Sequence, residues 1–198
     1  MSNSQKHMTP VHFAKPAKSV ACWLLCFFMG MQLLQAQTPA SKEYKVKAVF
    51  IYNFIQFVDW PQNSFASETS PFIIGILGDD PFGTAIDEVV AGEKFDRHPV
   101  IVQRYHDVKE IKNCQILYLS SGEAEHLRED LAVLPGTGML TVSDNNNFAR
   151  MGGMIRFFTQ NNKIRLQINP DAARAVNLII SSKLLRVSEI YDPNKPQQ

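Results

Sequence analysis

The stretch Lys42–Pro61, KEYKVKAVFIYNFIQFVDWP, decides how the chain is read. Wound at about 100° per residue, it puts Phe50, Phe54 and Phe57 in one stripe and Tyr44, Ala48, Ile51, Ile55 and Val58 in the next. The two stripes cover about half the circumference of a helix, and Lys47 is the one charge inside that arc. Lys45, Tyr52, Asn53, Gln56 and Asp59 share the other side. Pro61 predicts the stop, because a residue before proline is pushed out of the α region. Such a helix packs its aromatic arc on a sheet. Its exposed edge, Tyr52, Asn53 and Gln56 with Trp60 at the end, is the candidate partner-binding surface, since aromatic anchors commonly dominate interfaces.

Upstream of that helix the sequence reads as an export signal over residues 1–36. Lys6, Lys15 and Lys18 are its charges, an apolar run fills Val20–Gly30, and Leu34-Gln35-Ala36 suits cleavage before Gln37. The run is shorter than the roughly 20 apolar residues of a membrane span. Cys22 and Cys26 lie within the run, so neither suits a lipid anchor. Cleavage leaves 162 of the 198 residues, enough for one domain with its own core over 37–191 and a loose tail over 192–198. The expected product is exported and free, and does not span the membrane.

Losing three lysines and no acid takes the formal charge from +1 to −2, a balance that argues against a general nucleic-acid binder. Cys114 is then the only cysteine, so no internal disulfide can form. Its place at the head of an apolar run suits burial rather than reactivity.

After the aromatic helix come six strand candidates. FIIGIL (72–77) and QILYL (115–119) are almost continuously apolar, as in a sheet covered on both faces, with PVIVQR (99–104) and GMLTV (138–142) as neighbours. Helical stretches at 82–90, 107–112 and 124–134 alternate with them. The segments 154–159 and 163–168 flank Gln160-Asn161-Asn162 as an antiparallel hairpin. The fold class is therefore α/β: three layers, a mostly parallel sheet of five to six strands between helices, and a hairpin closing one edge. Asn169 and Pro170 start a short helix that Asn177 stops, and Ser181 caps a last one over SSKLLRVSEI.

Chemistry is harder to find. Gly75–Gly83 (GILGDDPFG) lacks both the dinucleotide spacing and a phosphate-loop lysine, and its aspartates would repel a pyrophosphate. Asp79 and Asp80 are expected to cap the next helix, with Pro81 opening it. His98, His106 and His126 show no metal-ligand spacing, and no nucleophile elbow occurs. No catalytic residues, metal or cofactor are expected. The crevice at the carboxyl ends of the strands still permits a ligand, with Asp79, Asp80, Ser120, Ser121, Ser143 and Asp144 as its candidate contacts.

Several ordered segments carry a resemblance: YKVKAVFIYNFIQFVDWP (44–61), GILGDDPFG (75–83), LTVSD (140–144) with Phe148-Ala149, GGMI (152–155), INPDAAR (168–174) and ISSKLL (180–185). On these the chain resembles the YfiR-like family of bacterial periplasmic proteins from about residue 43 to 187. The resemblance implies an α/β domain with a regulatory rather than catalytic role. It further implies a periplasmic repressor that restrains a membrane-bound sensor, such as an inner-membrane diguanylate cyclase of cyclic-di-GMP signalling. Homodimerisation is also an expectation. Members with paired cysteines are no guide to sensing here, since Cys114 stands alone. The alternative is a periplasmic small-ligand sensor.

Overall fold

The structure is a computed structural model that describes residues 39–120, 126–134 and 138–195. The expected export signal and Ser121 lie outside the described residues. The chain opens with α1 (Pro39–Phe54), followed by the two-residue strand β1 (Val58–Asp59). Strand β2 (Phe72–Leu77), helix α2 (Ala85–Val90), and strands β3 (Lys94–Phe95) and β4 (His98–Tyr105) come next. Then follow β5 (Ile116–Leu119), α3 (Leu127–Val133), β6 (Leu140–Ser143), β7 (Ile155–Gln160) and β8 (Lys163–Ile168). Helix α4 (Pro170–Ala175), β9 (Ile179–Ile180), α5 (Ser182–Arg186) and β10 (Glu189–Ile190) complete it.

Among the described residues, eight strands form one sheet in the order β10-β8-β7-β6-β5-β2-β4-β3. Pairing is parallel from β4 through β7, and β7 and β8 form the expected antiparallel hairpin. The hairpin does not close the edge, because β10 adds to β8 in parallel. The expectation of five to six strands missed β3 and β10, two-residue strands too short to show a period. Their place in the order is set by non-local pairing.

Alternation along β2 divides the core. Phe72, Ile74 and Ile76 join Ala48, Ile51 and Phe54 of α1 and Ile86 of α2, whereas Ile73 and Leu77 join Leu127 of α3 on the other face. Every β2 side chain is buried, as its continuous apolar run predicts. At Gly75 a side chain has no room: a Cβ would lie 2.8 Å from both Cys114 Sγ and the Tyr105 ring. Cys114 fills that gap. It is buried, it approaches the Ile116 carbonyl at 2.9 Å, and burial pushes its thiol up to about 12.

The aromatic helix differs from its sequence reading at its end. It finishes at Phe54, not at Pro61, and residues 55–57 form a turn. The reason lies far along the chain. Val58 pairs with Ile180, and the Phe57 carbonyl accepts from the Ser181 N–H at 2.8 Å, so β9 draws these residues out of helical geometry. The stretch at 107–112 is a single 3-10 turn at Val108–Glu110. The last helix stops at Arg186 because Glu189–Ile190 join the sheet. The caps agree with their residues: Asn169 accepts from the Ala172 N–H at 3.1 Å, Ser181 accepts from the Lys183 N–H at 3.2 Å, and Asn177 is left-handed at φ 63°.

Candidate functional site

The parallel strands β4, β2, β5 and β6 reverse their order about β2, so the carboxyl ends of β2 and β5 form a topological switch point. Here the polar groups are committed to holding the loop. Asp80 does not cap α2. Its Oδ1 accepts from the Phe82 N–H at 2.7 Å, and its Oδ2 takes Arg104 Nε at 2.7 Å. The α2 N-cap position is Thr84, without a side-chain cap, and Asp79 is exposed. Arg104 also binds Asp87 at 2.6 Å and the Gly83 carbonyl at 3.0 Å. Asp87 first, and then Asp80, raise the Arg104 pKa against the opposing effect of burial. Ser120 is buried, and the fully buried Ser143 donates its hydroxyl to the Leu119 carbonyl at 2.7 Å. These residues stitch adjacent strand ends together.

One residue beyond Ser143 the arrangement changes. Asp144 Oδ2 accepts from Tyr44 Oη at 2.7 Å and from Lys47 Nζ at 3.0 Å, both reaching down from α1. Lys47 is 4% exposed and also pairs with Glu43, one helical turn earlier, at 2.7 Å. The charge inside the apolar arc is thus a buried link between helix and sheet. Burial alone would push the ammonium toward neutrality, yet Glu43 and Asp144 more than compensate and hold its pKa above the ordinary lysine value. Burial likewise opposes the Asp144 carboxylate, but the Tyr44 and Lys47 donors outweigh it, and its pKa lies below the ordinary value.

The link is incompletely satisfied. Asp144 Oδ1 and the Tyr118 hydroxyl are both buried without a hydrogen bond, although each bears electrostatically on the other. Burial, followed by the Asp144 charge, drives the Tyr118 pKa well upward. Arg156 on β7 is a further buried cation, 9% exposed, with Nη1 donating to the Asn146 carbonyl at 2.9 Å and Nε buried without a partner. Its pKa is lowered by burial. Glu43, Tyr44, Lys47, Asp144, Arg156 and Phe158 line a cleft of about 710 Å³, a size that suits a small ligand. Of the crevice residues named from sequence, Asp144 reaches this cleft. Nothing in the local pattern picks out Arg156, which sits at an ordinary alternating position between Ile155 and Phe157.

The partner-surface residues lie along α1 and just beyond it. Tyr52 is half-buried and donates to Glu93 at 2.6 Å, and Asn53 donates back to the Val49 carbonyl at 2.9 Å. Gln56 is exposed in the turn. Trp60 is half-buried, its indole N–H on the Ile55 carbonyl at 3.0 Å and its ring edge-on to Phe72 at 5.1 Å. On the outer face of α1, Val46 and Val49 are 42% and 46% exposed. Sequence periodicity already leaves both outside the aromatic arc, and that was the signal for an apolar outer patch.

Among the described residues no His, Cys, Asp and Glu are grouped so as to hold a metal, and no helix is long and apolar enough to cross a membrane. No curated protein matches the chain. A family model matches residues 44–189, from the tyrosine that binds Asp144 to the strand that pairs with β8, and this spans most of the chain. The chain belongs to the YfiR/HmsC-like family.

Proposed function

We propose that this protein is an exported periplasmic regulator that binds and restrains a membrane-bound signalling partner, a diguanylate cyclase or another sensor, through the partner's periplasmic region. The observation that carries the reading, beside the family match, is the division of α1. Its inner face is fixed to the sheet by core packing and by the Asp144 link, while its outer face leaves Val46 and Val49 uncovered beside Asn53 and Gln56. A rigid helix with an apolar outer patch binds at low ordering cost. Restraint then needs only differential affinity for two states of the partner, a tenfold preference being about 1.4 kcal/mol. The same face could receive a second copy of the chain, which sedimentation would reveal.

The deciding experiment is capture of partners from native membranes by the tagged chain, read by mass spectrometry. Recovery of a cyclase or sensor kinase with a periplasmic region, lost on replacing Val49 with lysine, supports restraint. A folded, abundant bait that recovers no membrane protein removes it. A second reading, a small-ligand sensor, has the cleft beside Asp144 in its favour, with its buried and unpartnered Arg156 Nε.

A further inference from the structure

We infer that the cleft between the amino-terminal half of α1 and the end of β7 binds a small hydroxylated oxyanion, a sugar acid or a sugar phosphate, with Arg156 as the anion anchor. The inference deepens the ligand-sensor reading and is independent of any restrained partner.

Ion pairing assigns the anchor. Asp144 is matched by Lys47 at 3.0 Å and by the Tyr44 hydroxyl at 2.7 Å, and Lys47 is matched again by Glu43 at 2.7 Å. Lys47 is therefore engaged by two carboxylates and is not open to an added anion. Arg156 is different: among the described residues it has no carboxylate within ion-pair distance. Glu189, the acid whose charge it feels, already accepts from Gln167 at 3.0 Å. An arginine that is nine-tenths buried without a counter-ion is costly, and a bound anion relieves that cost.

The geometry of the guanidinium narrows the class. Nη1 is committed to the Asn146 carbonyl, while Nε is unpartnered. The edge carrying Nε is the fork that takes a carboxylate or a phosphate through two parallel hydrogen bonds. Phe158 lies under the guanidinium at 4.9 Å and keeps it from swinging freely. A bare inorganic anion would leave most of the 710 Å³ cleft empty. Asn147 and Thr159 are exposed on its wall, with side chains that donate to and accept from hydroxyl groups. An oxyanion head on a hydroxylated body satisfies both parts.

The test is calorimetric titration of the purified chain with D-gluconate, with glucose 6-phosphate and with neutral glucose. Gluconate and glucose 6-phosphate report the carboxylate and phosphate forms of the same chemistry, and saturable binding of one or both, without glucose binding, is expected. Arg156→Gln should weaken that binding about tenfold or more, and Arg156→Lys, which keeps the charge and loses the fork, by less. If Arg156→Gln does not fold, the exposed substitutions Asn147→Ala and Thr159→Ala carry the test and should each weaken binding several-fold. Glucose binding as tight as gluconate, binding indifferent to all four substitutions, or a folded chain that binds neither oxyanion overturns the inference. None of these outcomes bears on capture of a membrane partner.

Discussion

The two faces of α1 are made from one continuous sequence and do opposite things. On the inner face, Ala48, Ile51 and Phe54 are essentially inaccessible, Phe54 stacks on Phe157 at 6.0 Å, and the single charge is neutralised from two sides. On the outer face, Val46 and Val49 stand in solvent and Asn53 turns back on its own helix. The inner face spends its groups on the fold and leaves the outer one free to change. A helix held this firmly can offer a constant surface to a partner, because its position does not depend on what touches it.

The strongest way to break this contrast is at Phe54. Replacing it with alanine removes a buried ring from the middle of the core and should cost about 3–5 kcal/mol of unfolding free energy in urea titrations. A cost below about 1 kcal/mol would show that the inner face is not a core.

The link is next. Asp144→Ala leaves Lys47 buried with Glu43 as its remaining acid, a loss of about 2–3 kcal/mol, below the range for a fully buried pair because Glu43 persists. Adding Lys47→Met to Asp144→Ala should restore part of that loss, since no buried uncompensated charge then remains and Glu43, 39% exposed, keeps its contact with water. If the double variant is no better than the single one, the damage lies in packing rather than in charge.

Acid probes the same link in the wild-type chain. The folded pKa of Asp144 lies below its unfolded value of about 3.9, so its contribution is complete above that value and is lost as pH falls through the folded one. Lys47 lies above its unfolded value of about 10.4, so its contribution holds below that and is lost as pH rises through the folded pKa. The stability difference between wild type and Asp144→Asn should therefore be flat from about pH 5 to 9 and shrink below about pH 4. A difference that varies between pH 5 and 8 would point to another titrating group.

The smallest expected effect sharpens the contrast most. Val46→Ser combined with Val49→Ser should change stability by no more than about 0.5 kcal/mol while reducing partner capture. A large loss of stability would make the outer patch part of the fold after all.

Most of what depends on local period was legible in the sequence, the helical reading of 107–112 excepted. Continuous apolar runs marked β2 and β5, the polar turn marked the β7–β8 hairpin, and Asn169, Asn177 and Ser181 each take the terminal role that their chemistry suggests. Non-local pairing was illegible: β9 ends α1 early, and β10 extends the sheet past the hairpin. The site divided in the same way. Lys47 stood out as a charge in an apolar arc and Asp144 as a rim residue, but they meet across 97 residues, a contact no local pattern records. Asp80 looked like a cap and proved to be an anchor for Arg104, itself 24 residues away.

Cys114, packed where Gly75 leaves room for it, gives the molecule its own opening reporter. In a chain beginning at Gln37 it is the sole thiol, and with its pKa near 12 and its sulfur shielded, a thiol-reactive dye meets it only when the sheet comes apart. The labelling rate at neutral pH then reads how often the central strands separate, residue-specifically and without any engineered probe. Any ligand or partner that binds only the closed fold should slow this clock by the factor with which it stabilises that fold.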